Sequence, residues 1–311
     1  MTHTSSDSSR PAVAAVVVGY FPEHPVLLAL LAKLQGQVDR LYLVDNGGCD
    51  KIDLQATPKC QYIRLDKNYG LGYALNKGFE AAIQDGAHYV ATFDQDSAPP
   101  DHLIASLLTQ HELLHAQGVK CAAIGPTFFD RREADKVYFP FYKEGGGSIQ
   151  AIIPADFDDA TVRYVEVDVL ITSGMLIRTT AWLDTLRYDD GMFVDYTDTE
   201  WCFRARSKGY QLFGSMAVQM GHALSDAPPV RLFNLNFFHY SPLRRYYYFR
   251  NTLLFCKKPY VSSAWKKRLL VGLGIRFFAS LVYENRRLSQ FKMMCKGIWS
   301  GLHNKSGAYP T

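Results

Sequence analysis

Two carboxylates one residue apart, Asp94-Gln95-Asp96, follow the apolar run His88-Tyr-Val-Ala-Thr-Phe93 and precede Ser97-Ala-Pro-Pro-Asp101. The run has the length and character of a buried parallel strand. The polar, proline-bearing segment reads as a loop entering a helix at His102-Leu-Ile-Ala-Ser-Leu-Leu. Asp94 and Asp96 therefore fall at the carboxyl end of a strand, where open α/β sheets bind ligands. Such a pair suits a hard divalent cation, with coordination positions left for phosphate oxygens. A bare D-x-D is common, so its meaning rests on its surroundings.

Five other constellations offer chemistry. Asp45 ends the strand Arg40-Leu-Tyr-Leu-Val44, where a carboxylate can accept the N3–H of uracil or thymine; the plainer reading is a turn-forming Asp before Asn46-Gly47. In Asn68-Tyr-Gly-Leu-Gly-Tyr-Ala-Leu-Asn-Lys-Gly78, Gly70, Ala74 and Gly78 share one helix face. Small residues there let the backbone approach the sheet or a ligand closely, and the helix N-terminus near Gly72 can help hold an anion. A dinucleotide-binding G-x-G-x-x-G is disfavoured, because Leu75 stands at the third glycine and the segment follows the third strand rather than the first. Asp195-Tyr-Thr-Asp-Thr-Glu-Trp-Cys-Phe-Arg204 reads as an acid-rich helix start, with Asp195 as cap and Asp198 in the first turn. Asp198 is a candidate general base, against simple dipole compensation. His222, just past a strand, is either a further metal ligand or a structural histidine. Arg244, Arg245 and Arg250 offer guanidinium forks that match a diphosphate. No RNA-binding pattern accompanies their aromatic neighbours, so no nucleic-acid partner is expected.

These residues need a scaffold, and the chain supplies one. Strand patterns at 12–18, 40–44, 61–65, 88–93 and 121–124 alternate with helices opening at Pro25 and running over about 72–85, which predicts a parallel, doubly wound sheet in the first 125 residues. Between 126 and 163 the pattern loosens, and Gly145-Gly-Gly147 and Asp156-Phe-Asp-Asp159 suggest mobile loops. Strands return at 164–171, 175–177 and 210–220, a helix covers about 198–208, and the chain beyond 240 reads as helical. The expected organisation is a disordered 1–10, a catalytic domain over 11–226 (halves 11–125 and 126–226) and a basic helical region over 227–311.

Composition narrows the class. The 311 residues are 48% hydrophobic and 21% charged, an ordinary globular balance. The six cysteines are widely spaced without a CxxC, as expected of reduced thiols in a cytoplasmic protein. The N-terminus lacks the apolar segment of a signal peptide. A net charge of +4 conceals an asymmetry: fifteen Lys and Arg against one acid, Glu284, lie beyond residue 226, so the rest of the chain is acidic. The longest apolar stretch, Leu269 to Val282, is broken by Arg276 and too short to span a bilayer. This basic, aromatic end reads either as a contact with a membrane surface or another polyanion, or as a solvated basic face.

Taken in order, the segments resemble the family 2 glycosyltransferases of the GT-A fold, over about residues 12–256. The collinear set is the first apolar strand, Asp45-Asn46, Asn68 to Gly78, Asp94-x-Asp96, Ser173-Gly174, Asp198 to Arg204, and His222. Within that family, FDQDS, Asp195 to Arg204 and Arg245-Tyr-Tyr-x-x-Arg-Asn251 look most like bacterial rhamnosyltransferases. The resemblance implies an α/β, Rossmann-like, mainly parallel sheet with a helical C-terminal extension. It implies that Asp45 meets the base, that Asp94 meets the ribose or the metal, and that Asp96 and His222 hold Mg²⁺ or Mn²⁺. Asn68, Gly70, Arg245 and Arg250 then line the nucleotide-sugar site. Asp198 becomes the base of an inverting transfer; Thr197 replaces the Glu that many members carry before it, so Asp195 is a second candidate. The implied donor is dTDP-β-L-rhamnose and the implied acceptor a cell-surface or polyprenyl-linked glycan. Residues 257–305 would then touch the inner face of the cytoplasmic membrane through Arg286, Arg287, Lys292 and Lys296, with Trp265, Phe277, Phe278 and Trp299 as interfacial anchors. The competing classes are a haloacid-dehalogenase-like phosphatase, which also places D-x-D after a strand, and a non-catalytic nucleotide- or glycan-binding module.

Overall fold

The computed structural model describes residues 10–130, 137–154, 163–222, 230–232, 235–237, 239–284 and 286–310. The segment Asp156–Asp159 and most of the N-terminal decapeptide lie outside them. Among the described residues, eight strands form one sheet in the order β3-β2-β1-β4-β9-β5-β10-β8. The parallel half consists of β1 (Val13–Gly19), β2 (Arg40–Asp45), β3 (Cys60–Arg64) and β4 (Tyr89–Asp94). β1, β2 and β4 are apolar on both faces because both are covered, whereas β3, at the edge, is partly exposed. Val13, Ala15 and Val17 pack towards α1 (His24–Gln35) and α3 (Leu103–Ala116). Ala14, Val16 and Val18 pack towards α2 (Leu71–Gln84) with Ala74, Leu75 and Phe79.

The second half departs from the expected parallel order. β5 (Cys121–Asp130) does not pair with β4. The short β9 (Met175–Arg178) inserts between them, antiparallel to both. β5 pairs in parallel with β10 (Gln211–His222), and β8 (Tyr164–Val167) closes the edge antiparallel to β10. Part of the expected loose region is a hairpin of β6 (Phe141–Gly145) and β7 (Ser148–Ile152). Gly146 and Gly147 both have positive φ, 59° and 77°, which suits the mirror-image turns that match strand twist. The small pair β11 (Val230–Leu232) and β12 (Leu235–Phe237) leads to the helical end.

After β9 come α4 (Thr179–Thr185) and α5 (Thr197–Ser207); the C-terminal helices are α6 (Pro242–Cys256), α7 (Ser263–Tyr283) and α8 (Arg287–Leu302). They are not a detached appendage. Phe255, Val261 and Trp265 share a core with Met192 and Phe203. Trp265 is therefore no membrane anchor: it is buried, and its indole N–H donates to Asp168 at 2.8 Å. Phe277 likewise packs inward, against Phe249 and Phe291.

Candidate active site

Strand register brings the first carboxylates to one edge. Val18 of β1 lies opposite Asp94 of β4, and its neighbour Gly19 lies opposite Asp45 of β2. Asp45 and Asp94 thus end strands that flank β1, roughly 10 Å apart across two strand spacings. Asp96 follows in the loop and is exposed. Ala98, two residues on, bridges to Gly221, so the backbone of His222 at the end of β10 returns to the same loop. The His222 side chain lies outside what is described.

Asp198 reaches this edge from α5 through a three-residue strap. The Thr172 N–H donates to the Asp198 carboxylate at 3.0 Å, and its hydroxyl adds a second contact at 3.3 Å. The next residue, Ser173, donates to Asp94 at 2.6 Å. Gly174, with φ +74°, then donates its N–H to the Thr92 carbonyl at 2.7 Å, fixing the strap to β4. Asp94 and Asp198 are therefore held by adjacent residues of one segment. Burial pushes the Asp198 carboxyl up to about 6; the Thr199 N–H works against this and the negative charge of Asp94 adds to it. A carboxylate so poised, without an ion-pair partner among the described residues, is suited to accept a proton near neutral pH.

Asp45 forms the turn. Its carboxylate is buried and accepts from the Gly47 and Cys49 N–H groups and from the Tyr62 hydroxyl. Burial alone would raise its pKa, but these hydrogen bonds outweigh it and leave the group below its ordinary value. Asn68 is equally engaged: its carbonyl oxygen accepts from Asn46 at 2.9 Å and from the Gly70 N–H at 2.8 Å. Gly70 is required by its protein contacts. Its φ is +90°, and a Cβ there would collide with the Phe193 backbone. The first amide of α2 donates to the Phe193 carbonyl at 2.6 Å rather than facing an anion. Gly78 likewise lets α2 lie directly on Val16.

The arginines correct the sequence reading. Arg245 is 1% exposed and its guanidinium meets Glu284 at 2.7 Å and the Tyr283 hydroxyl at 2.5 Å. Arg250 is 0% exposed and donates to the carbonyls of Gly191, Met192 and Gly307 and to Asn251. Neither fork is available to a diphosphate in this arrangement, because a buried guanidinium must be satisfied where it lies. With Asn251, whose amide donates to the carbonyls of Met192, Val194 and Asp195, Arg250 instead holds the turn before α5. That turn is strained: Phe193, Asp195 and Tyr196 all have φ between 58° and 65°. Asp195 does not cap α5, since Tyr196 occupies the cap position. It pairs instead with Arg244, the more exposed of the three arginines, at 3.1 Å.

Two features escaped the sequence reading. Thr172 is an ordinary hydroxyl whose role appears only through its contact with Asp198. Tyr20 and Phe21 are exposed aromatics at the end of β1, beside Gly47 and Gly48. An aromatic pair immediately after a strand, Gly19-Tyr-Phe-Pro22, was the signal available.

The sheet, its carboxylate edge and the strap define a nucleotide-sugar transferase fold, and comparison with known proteins agrees. The family described as "Glycosyl transferase family 2" matches residues 15–168. A relative named dTDP-rhamnosyl transferase RfbF, from Shigella flexneri, is 30% identical over 297 residues, covering 95% of this chain and 97% of the relative. The chain belongs to the family 2 glycosyltransferases. Among solved structures, S. aureus TarS 1-349 in complex with UDP-GlcNAc superposes with a TM-score of 0.56 at 14% identity, over 94% of this chain and 81% of that one. GalNAc-T7 with UDP, GalNAc and Mn²⁺ superposes with a TM-score of 0.51 at 12% identity, over 84% of this chain and 54% of that one. These likenesses establish the GT-A fold. Family membership sets aside the phosphatase and the non-catalytic module.

Proposed function

We propose that this glycosyltransferase moves L-rhamnose from dTDP-β-L-rhamnose to a hydroxyl of a cell-surface or polyprenyl-linked glycan precursor, with inversion at the anomeric carbon. The rhamnosyl assignment is supported by the near full-length likeness to the Shigella relative. The observation that carries the chemistry is the strap Thr172-Ser173, which ties a carboxyl with a pKa near 6 to the carboxylate edge. Asp198 takes the proton of the acceptor hydroxyl as its oxygen attacks the anomeric carbon. The bond from that carbon to the diphosphate breaks, and dTDP leaves with the electron pair. The thymine end of the donor lies over the β1–β2 edge. There the exposed rings of Tyr20 and Phe21 offer a stacking surface, and Asp45, at the end of β2 beside them, is the proposed partner of the base N–H.

A divalent cation fits Asp94 and Asp96. Both offer hard oxygen donors at the carboxyl edge, and Mg²⁺ or Mn²⁺ is commonly held by one or two carboxylates with phosphate and water completing the shell. Asp96 is the exposed member, and His222 ends β10, whose Gly221 bridges to Ala98 in the same loop. Such an ion would neutralise the charge that develops on the departing diphosphate. The proposed location is the cytoplasm, with peripheral contact at the inner face of the membrane; no described helix is long and apolar enough to cross one.

A thermal-shift panel of UDP-, GDP- and dTDP-sugars with Mn²⁺ tests the donor. A shift selective for dTDP-rhamnose is expected, and a larger shift with another sugar nucleotide would overturn the assignment. With Asp96→Ala the Mn²⁺-dependent part of the shift should disappear; if it persists at full size, Asp96 is not a ligand.

A further inference from the structure

The outer face of α7 takes no part in the site described above. Val271, Ile275, Phe278 and Val282 recur at intervals of four, three and four residues, so they line one side of the helix. Each is exposed, by 55%, 44%, 69% and 63%. The stripe runs for roughly 16 Å along the helix axis. Arg276, which interrupts the apolar run in the sequence, does not interrupt the stripe. It turns to the other side, where its guanidinium lies 5.6 Å over the Tyr248 ring of α6 and donates to the Gly272 carbonyl. Basic residues bracket the stripe: exposed Lys267 at one end, and exposed Arg286, Arg287 and Lys292 beyond the other. Leu288 and Phe291 continue the apolar surface onto α8. Glu284, the one acid in this part of the chain, is buried and engaged by Arg245 and His239.

We infer that α7 docks this protein on an anionic lipid surface. The stripe lies in the plane of the interface at headgroup depth, with Lys267, Arg286, Arg287 and Lys292 on lipid phosphates. An apolar stripe of this kind in water is unusual for a monomer, and cations at its ends specify what covers it. A second copy of the chain fits less well, because a two-fold contact over the stripe brings the same cations together without an acid to meet them. A bilayer supplies both the apolar layer and the negative charge. The surface also has a route to the site: Phe277 of α7 packs on Phe249 of α6, the helix whose Arg250 and Asn251 hold the turn before α5. The inference deepens the proposed location and does not depend on the choice of sugar donor.

Sedimentation of the full chain with vesicles tests it, using phosphatidylglycerol mixed with phosphatidylcholine against phosphatidylcholine alone. Binding to the anionic vesicles only, weakened by salt, is expected. Phe278→Ser and Val282→Ser should each lower partitioning about tenfold. Arg286→Gln and Lys292→Gln should each lower it about fivefold. The thermal shift with dTDP and Mn²⁺ should be unchanged in all four, which separates loss of docking from loss of the nucleotide site. Absence of vesicle binding by the wild-type chain, or equal binding to neutral vesicles, would overturn the inference. So would a wild-type dimer in analytical ultracentrifugation that Phe278→Ser converts to monomer.

Discussion

Asp198 and Arg250 make an instructive pair. Both are charged, Arg250 is buried and Asp198 half-buried, and both stand in segments whose sequence points to sugar-nucleotide chemistry. Arg250 is surrounded by three backbone carbonyls and the Asn251 amide oxygen, neutral acceptors that balance its N–H donors; burial lowers its pKa, but a guanidinium keeps its proton. Asp198 is held by the backbone and hydroxyl of Thr172 and Thr199, neutral donors that orient it. They do not cancel its charge, and the nearest electrostatic influence, Asp94, is of the same sign. The balanced group fixes structure and the unbalanced one is left able to exchange a proton. Residue type and surroundings together separate the two roles: a guanidinium keeps its proton even when buried, whereas a carboxyl raised to about 6 can exchange one.

The largest effect should come from the unbalanced member. Asp198→Asn should lower kcat at least 10³-fold in sugar transfer, the upper part of the range for general-base removal, while dTDP affinity by calorimetry stays within about twofold. The wild-type pH profile sharpens this. A base must be ionised, so kcat/KM should rise with a slope of one up to about pH 6 and level off above it. Mn²⁺ should move that inflection lower, because a cation beside Asp94 offsets the carboxylate repulsion. A profile flat from pH 5 to 8, or Asp198→Asn transferring at the wild-type rate, would remove Asp198 as the base.

The balanced member should show itself in stability. Arg250→Leu leaves the Gly307 carbonyl and the Asn251 amide oxygen without their donor and removes one of several donors from the Gly191 and Met192 carbonyls, a cost of about 2 kcal/mol and a Tm lower by roughly 4 °C. Calorimetric unfolding checks this. If Tm holds and dTDP binding weakens instead, Arg250 meets the diphosphate after all.

The same distinction explains what was legible in the sequence. Apolar runs announce β1, β2 and β4, and strand ends announce Asp45 and Asp94, because burial on both faces leaves a compositional trace. β9 leaves almost none of its direction: three apolar residues before an arginine read alike in either orientation, and its place between β4 and β5 is set by long-range pairing. The Gly146-Gly147 turn hides a hairpin for a related reason, since glycines that permit a tight turn equally permit a loose loop. Arg245 and Arg250 carry their charge in the sequence but not their burial, so a clamp on a ligand and a clamp on the protein look the same. Asp198 was recognisable from its position, whereas its partner Thr172 was not, because a hydroxyl and a backbone N–H acquire their role only when α5 packs against the strap.

Asp195 is the finest test of the comparison, since it lies three residues from Asp198 and shares features of both groups. One carboxylate oxygen pairs with Arg244, as a structural acid would, while the other is buried without a hydrogen-bond partner among the described residues. Its φ of +58° lies in a region that Asn tolerates, so Asp195→Asn changes charge with little backbone cost. Arg244 is partly exposed, and a pair of that kind contributes up to about 1 kcal/mol. If Asp195 only positions the turn, Asp195→Asn should reduce kcat about fivefold at most and leave the inflection near pH 6 in place. If it is the base, Asp195→Asn abolishes the inflection and Asp198→Asn retains it. Profiles of both variants, measured side by side without and with Mn²⁺, therefore assign the proton to one carboxylate: the one whose removal takes the inflection with it.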